Sequence, residues 1–369
     1  MVKTSAADLG PMRRALTLAR RGTGWTDPNP KVGCVLVRDG RIVGEGFHER
    51  VGGPHAEVRA LQRAGESGRG ATAYVTLEPC SHHGRTPPCA DRLVEAGVAR
   101  VVAAMEDPDP RVRGRGLARL GDAGIAVDSG ILAAPAEALN AGFAKRARTG
   151  RPWVTLKLAA SLDGRTATRS GESQWITGES ARADVHRLRH AHSAILTGSG
   201  TVRADDPSLT ARVPEGGAHP LRVILDSRLA TAPGARVVTG PGRCLLFTDK
   251  TADPVRRRHL EEAGAEVVGL ESGPGGRLPL GEVLAELGRR EISSVLVECG
   301  ATLAGALLRG GWVDRLVAYV APSVIGAGGR AMFEGPPIGS MAERVELEVL
   351  ERLPLGPDLR VVAVPRATP

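Results

Sequence analysis

The chain has 369 residues, 42% of them hydrophobic and 24% charged, which is enough for two ordinary domains with separate cores and excludes a small module. Apolar runs are broken by Arg, Asp or Gly within a handful of residues, so no membrane span and no charged-then-apolar export segment is legible, and a cytoplasmic protein is expected. Five cysteines are too few for a disulfide framework, and the formal charge of +8, from 49 basic residues of which only five are Lys, is scattered along the chain, which suits a bias toward Arg or phosphorylated small molecules as well as it suits a polyanion.

Leu9, Met12, Leu16 and Ala19 recur at helical spacing over 8–21, and KVGCVLVRDGRIVGEG reads as two strands about an Asp39-Gly40 turn. A helix at about 55–61, a strand at 73–77, a helix at about 89–96 and a strand at 100–105 follow. Helices alternating with strands predict a three-layer α/β/α domain. The helix-like run PAEALNAGFAKRARTG ends at Gly150-Arg151-Pro152, and the pattern restarts with WVTLKLAAS. The expected domains are therefore 1–147 and 148–369. The second domain reads as a helix at about 178–190, strands at 193–197, 221–226, 244–248 and 265–269, a helix at 280–290, the strand SSVLVECG, a helix at 301–309, and strands at 314–320 and 344–364. Gly/Pro-rich stretches at 213–220, 231–242 and 271–279 read as surface loops.

The strongest chemical signal is His55-Ala56-Glu57, followed after a strand by Pro79-Cys80 and, nine residues later, Cys89. One His and two Cys make three ligands, and zinc sites with three protein ligands keep a fourth position for water, whose pKa the metal lowers toward neutrality. Glu57 is then the natural proton shuttle. Positions two apart in mid-helix diverge by roughly 200°, so His55 and Glu57 can share a metal only if His55 stands at the helix entry, which Pro54 suits. Cys89 at a helix start has its thiolate favoured. This is the logic of the zinc deaminases, H-x-E with P-C-x-x-C, except that SHHGRTPP puts eight residues between the cysteines. His82 and His83 compete as ligands, although so close to Cys80 either must fold back to reach the metal. With Arg85, they either hold substrate or its phosphate or shape the loop. Asn29 either hydrogen-bonds a pyrimidine edge or initiates a turn. Cys34 reads as a small core residue.

From Trp153 onward there is no zinc motif, nucleophile triad, P-loop or G-x-G-x-x-G. Instead, a polar loop carrying Ser173, Gln174 and Trp175 follows Asp163-Gly164, the strand AILTG opens into Gly200, Thr201 and Asp205-Asp206, and SSVLVECG runs into a glycine at a helix N-terminus, where amide donors suit a phosphate. Lys157 is a lone amine on an apolar strand and needs a partner; it is read either as a group that orients the substrate or protonates an opening ribose, or as a structural cation. Glu298, ending another apolar strand, is open to the same two readings. Arg189 and Arg212 either clamp a phosphate or are solvated.

NPKVG at Asn29, His55-Ala56-Glu57 and PCSHHGRTPPC from Pro79 resemble the deaminase half of the bifunctional riboflavin-biosynthesis deaminase/reductase family. KLAASLDGRTA, SGESQWITG, TGSGTVRADDPSLTAR, LDSRL and VECGATLAGALL are similar, in order and spacing, to its reductase half. The resemblance spans nearly the whole chain. It implies a cytidine-deaminase-like first domain in which His55, Cys80 and Cys89 hold zinc and Glu57 moves the proton, and a dihydrofolate-reductase-like second domain that uses NADPH. It places Ala159, Trp175, Thr201, Asp205, Ser227 and the turn of Gly300, Ala301, Thr302, Leu303, Ala304, Gly305 and Ala306 against NADPH. Ser173, Arg189, Leu209, Arg212 and Glu298 are placed against substrate, to which the residue-level reading adds Lys157 and Asn29. The implied substrates are phosphoribosylaminopyrimidines, and a homo-oligomer is implied as well. A nucleic-acid base deaminase is disfavoured by the cysteine spacing and by 3% aromatics. A noncatalytic C-terminal binding module is the remaining rival.

Overall fold

The computed structural model describes residues 5–81, 88–110, 112–214 and 216–366. The chain forms two compact units, Met1–Gly150 and Arg151–Pro369.

The first unit runs α1 (Ala6–Arg20), β1 (Gly33–Arg38), β2 (Arg41–Phe47), α2 (Ala56–Ala64), β3 (Thr72–Val75), α3 (Cys89–Glu95), β4 (Arg100–Ala103), α4 (Arg115–Asp122), β5 (Ala126–Ser129), α5 (Ala133–Leu139) and α6 (Ala141–Thr149). The sheet order is β2-β1-β3-β4-β5, antiparallel at β1 and parallel from β3 to β5. Alternation in the strands sends Cys34, Leu36, Ala73 and Val75 to a face covered by Ala56 and Ala60 of α2, Leu93 of α3 and Leu120 of α4. Val35, Tyr74 and Val102 go to the face covered by Met12 and Leu16 of α1 and Ala136 of α5. This is the three-layer arrangement expected, with Cys34 in the core. Close packing is set by glycine: a Cβ on Gly46 of β2 would lie 2.3 Å from the Ala56 carbonyl oxygen, so α2, which begins beside His55, rests directly on the strand.

The second unit runs β6 (Trp153–Ser161), β7 (Arg165–Ala167), α7 (Glu179–Ala191), β8 (Ala194–Gly198), α8 (Ser199–Asp205), β9 (Leu221–Leu225), α9 (Arg236–Thr239), β10 (Cys244–Asp249), α10 (Pro254–Glu262), β11 (Ala265–Leu270), α11 (Leu280–Arg289), β12 (Ser294–Glu298), α12 (Ala301–Arg309), β13 (Arg315–Ala321), β14 (Arg330–Ala331), β15 (Leu347–Leu355) and β16 (Asp358–Pro365). In its main sheet, β11-β10-β9-β8-β12-β6-β13-β16-β15, all strands run parallel except β16, which is antiparallel to both its neighbours. One core holds Val154 and Leu156 of β6 against Leu284 of α11 and Leu307 of α12. Another packs Ile195 and Leu246 against Val202 of α8, Val238 of α9 and Leu260 of α10. Helices therefore cover both faces of the sheet, as βαβ crossovers require.

Two readings of this unit are corrected. The stretch 231–242 is not simply a surface loop, because it contains α9 with Val237 and Val238 buried. The stretch 344–364 is not one strand but two, β15 and β16, paired as a hairpin that turns at Gly356 (φ 64°).

Candidate active sites

His55 is the N-cap of α2, with extended backbone (φ −70°, ψ 164°). It stands before the helical turn that carries Glu57, which resolves the divergence of positions two apart. Cys80 follows β3, and Cys89 is the first residue of α3. His55 Nδ1 lies 3.2 Å from Cys89 Sγ and 3.7 Å from Cys80 Sγ, and the three ligand atoms all lie within 4.8 Å of one another. Ligand bonds of 2.0–2.3 Å in a tetrahedron give edges of about 3.6 Å, so one imidazole and two thiols at these separations fit zinc and leave the fourth corner open. Cys80 Sγ also accepts the Cys89 amide at 3.3 Å. Hydrogen bonding from the Cys89 thiol, aided by His55, lowers the Cys80 thiol, while the same bond and burial raise that of Cys89, so the thiolate is favoured at Cys80 and not, as the helix start suggested, at Cys89. Glu57 is 3% exposed, and burial raises its carboxyl to about 7.

Beside these groups, His48 is buried, with its ring edge-on to His55 at 5.4 Å. Its Nδ1 bonds the Pro54 carbonyl at 3.1 Å and its Nε2 lies 3.1 Å from Asn29 Nδ2. Burial lowers the His48 pKa, so the neutral ring donates from Nδ1 and accepts from the Asn29 amide at Nε2.

In the second unit a cavity of about 1320 Å³ opens near the carboxyl ends of β8 and β12, the usual ligand position of a parallel sheet. Lys157 and Ala159 of β6 and Glu298 of β12 line it, and α8 contributes Thr201 and Asp205. Its floor is ionic: Glu298 accepts from Arg189 Nε and Nη2 at 2.6 and 2.9 Å, and Lys157 Nζ is 3.9 Å from Glu298 Oε2. Burial alone would raise the Glu298 carboxyl, but Arg189 and Lys157 hold it down at about 2. Burial lowers the Lys157 amine, with Glu298 opposing. Burial also raises Asp205.

The model of the RibD C-terminal domain matches residues 152–361, and that of the cytidine and deoxycytidylate deaminase zinc-binding region matches residues 7–105. The riboflavin biosynthesis protein RibD of Escherichia coli (strain K12) is 50% identical over 360 residues, covering 94% of this chain and 96% of that protein. The RibD of Haemophilus influenzae is 44% identical and covers 99% and 100%. The chain belongs to the RibD family. Among solved structures, RibD of Acinetobacter baumannii superposes with a TM-score of 0.91 at 43% identity, covering 98% of this chain and 99% of that one. The diaminohydroxyphosphoribosylaminopyrimidine deaminase/5-amino-6-(5-phosphoribosylamino)uracil reductase of Thermotoga maritima does so at 0.86 and 35%, with the same coverage. Like its RibD relatives, this chain is a bifunctional deaminase and reductase of riboflavin biosynthesis, with a zinc-binding deaminase unit and a reductase unit of the NADPH-using type. Both rival readings, the nucleic-acid deaminase and the noncatalytic C-terminal module, are set aside with that result.

Against this RibD background, the residues singled out from the sequence distribute unevenly. Ser173, Trp175, Leu209, Arg212, Gly300, Ala301, Thr302 and Leu303 line the same cavity as Lys157, Ala159, Arg189, Thr201, Asp205 and Glu298. Ala304 and Gly305 do not: Ala304 belongs to the apolar core, and Gly305 is buried under the backbone of Glu334, where a Cβ would meet the Glu334 carbonyl oxygen at 1.9 Å. Ala306 is likewise absent from the lining, and Ser227 lies in a separate depression with Asp249 and Thr251. Arg189 lines the cavity but is not freely solvated, since besides its pair with Glu298 its third nitrogen donates to the Thr210 carbonyl oxygen at 3.2 Å. Arg212 is held at its Nη2, 3.0 Å from His186 Nε2. His82, His83 and Arg85 lie outside the described residues. The motif reading passed over His48 and Arg182, whose guanidinium stacks on Trp175 at 4.7 Å. Neither carries a spacing signal, since His48 lies seven residues before His55 and Arg182 sits on a solvent-rich helix.

Proposed function

We propose that the unit bounded at 1–147 removes the 2-amino group of 2,5-diamino-6-(5-phosphoribosylamino)pyrimidin-4(3H)-one, and that the unit bounded at 148–369 reduces the resulting 5-amino-6-(5-phosphoribosylamino)uracil with NADPH. The carrying observation is the His55–Cys80–Cys89 triangle with Glu57 buried beside it. When bound there, zinc supplies a Lewis acid that makes water nucleophilic at neutral pH. Glu57, buried and within hydrogen-bond reach of Cys89, is placed to accept the proton of that water and to deliver one to the departing amine. Asn29, its amide N–H given to His48, turns its carbonyl oxygen toward the pyrimidine edge.

In the second unit NADPH, when bound, supplies the hydride. Arg182 and Arg203 join Arg212 in a cavity that attracts two phosphorylated ligands, and its volume exceeds the usual range for one drug-sized ligand. Arg212 is assigned to the substrate phosphate, Glu298 to substrate positioning with Arg189 as its brace, and Lys157, an amine eased toward deprotonation by burial, to protonation of the opening ribose at its ring oxygen. Ala159, Trp175, Thr201, Asp205 and the Gly300–Leu303 helix entry are assigned to NADPH, with Ser227 at its outer end. Ser173 and Leu209 are assigned to substrate.

Among the described residues no helix is long and apolar enough to cross a membrane. A reducing cytoplasm is the compartment in which the cysteine ligands stay thiolates. Edge strand β15 exposes Leu347, Leu350 and Leu353, which supports a homo-oligomer; sedimentation of the purified chain tests it. The function itself is tested by supplying the diaminopyrimidine to zinc-loaded protein and following ammonia release and NADPH oxidation together. Both signals are expected in that order. Ammonia release with no NADPH oxidation, even from the deaminated intermediate, overturns the second assignment.

A further inference from the structure

Helix α4 carries none of the residues assigned to the deaminase site, yet it is joined to both cysteine-bearing segments. On the Cys80 side the link is Glu78, two residues upstream and 3% exposed. Its Oε1 accepts the amides of Gly116 (2.8 Å) and Leu117 (3.3 Å), and its Oε2 those of Gly114 and Asp107 (2.9 Å each). Three of these donors are the cap and first-turn amides of α4, which no side chain of its own N-cap Gly114 satisfies. The approach is close enough to need a glycine, since a Cβ on Gly116 would stand 1.9 Å from the carbonyl oxygen of Pro79, the residue between Glu78 and Cys80. On the Cys89 side, Arg119 of α4 forms an ion pair with Asp91, two residues after Cys89 in α3, its Nη2 at 2.9 Å from Oδ2. The two segments also meet directly where the Ala90 amide donates to the Cys80 carbonyl at 3.2 Å.

We propose that α4 is the positioning element of the metal site: Glu78, saturated by four backbone amides, fixes the Cys80 side, and the Arg119–Asp91 pair fixes the Cys89 side, so that the sulfur separation is set before metal arrives. A carboxylate that anchors a ligand-bearing loop acts through the ligand geometry, and loss of such outer partners costs about 10- to 100-fold in metal affinity. Glu78→Gln keeps the shape but turns an NH₂ group toward amides that need an acceptor, so α4 must move off Pro79. The inference rests on the reading of His55, Cys80 and Cys89 as the zinc ligands.

The test uses the full chain. Zinc affinity is measured by competition with a chromophoric chelator and the ligand field by the visible spectrum of the cobalt(II)-substituted protein; the calorimetric melting of the first unit reports that this unit is folded, and NADPH oxidation on the deaminated intermediate reports the same of the second. The expected result for Glu78→Gln is zinc held 10- to 100-fold more weakly, an altered cobalt spectrum and unchanged NADPH oxidation. A role confined to stability leaves the spectrum of the bound metal as in wild type, and that outcome overturns the proposal, as does wild-type affinity. Should Glu78→Gln not accumulate as folded chain, Arg119→Ala decides, because its side chain is half exposed and its loss leaves the core intact. It is expected to weaken zinc several-fold, and wild-type affinity and spectrum overturn the proposal. Cys80→Ser is the separate control: if it binds zinc as wild type does, the ligand assignment itself is wrong, whereas loss in Cys80→Ser with no change in Glu78→Gln removes only the role of α4.

Discussion

Glu57→Gln keeps the volume of a buried side chain and removes its proton-carrying function. We expect ammonia release to fall about 10²- to 10⁴-fold, with zinc content and NADPH oxidation of the deaminated intermediate unchanged; the same fall in both reactions would place Glu57 outside the chemistry. At Glu298 the test is thermodynamic. Its carboxyl is held near 2, against 4.5 for an ordinary glutamate, so folding favours the ionised form, and the stabilisation is complete above about pH 4.5 and lost as pH falls through about 2. Glu298→Gln leaves Lys157 and Arg189 without their buried counterion, a loss of about 3–5 kcal/mol. The melting-temperature gap between wild type and variant is therefore expected to be constant from pH 7 to 5 and to narrow toward pH 2; a gap independent of pH would show that the charge is not what matters. His55, Glu57, Cys80 and Cys89 were legible in the sequence because soft donors at a helix entry, a strand exit and a helix start are rare outside metal sites. The Arg189–Glu298 pair, 109 residues apart, was not, because nothing local distinguishes a braced arginine from the many solvated ones.

Short elements were readable where their apolar residues are regularly spaced, as in β3, α3 and β4, whereas α4 and α9 were not. Helix α4 buries only Gly116 and Leu120, too few positions for a 3.6-residue pattern, and its N-terminal donors are satisfied by Glu78, far away in sequence, instead of a local cap. Helix α9 hides between Pro233-Gly234 and Gly240, yet Val237 and Val238 are buried, and the wholly buried Arg222 donates to the carbonyls of Gly240 and Gly242 at 2.9 and 2.7 Å just beyond it. Glycine placement carries information that composition does not. With its Cβ only 2.3 Å from the Ala56 oxygen, Gly46→Ala forces α2 away from β2 at the end that holds His55. It is expected to lower the stability of the first unit by about 1–3 kcal/mol, read by denaturant titration of that unit's Trp25 fluorescence, and to weaken zinc binding with it. A stability loss with no change in zinc affinity would show that the entry of α2 is held independently of β2.

Each unit has its own sheet, its own cores and its own site, so the molecule offers two separate ligand handles on stability. Metal binding is folding free energy for the unit that supplies the ligands, and a cofactor that binds only the folded state stabilises by about 2.7 kcal/mol at one hundred times its dissociation constant. In the intact protein a strong zinc chelator is expected to abolish ammonia release and lower the melting of the first unit, while NADPH oxidation from deaminated intermediate continues at its original rate. NADPH added to the chelated protein is expected to raise the melting of the second unit alone. Calorimetry with each ligand separately and together checks this through additivity, because independent units give two shifts that sum. If chelation also stops NADPH oxidation, or NADPH restores the melting of a zinc-free first unit, the two sites are energetically coupled and the chain works as one machine, not as two catalysts in sequence.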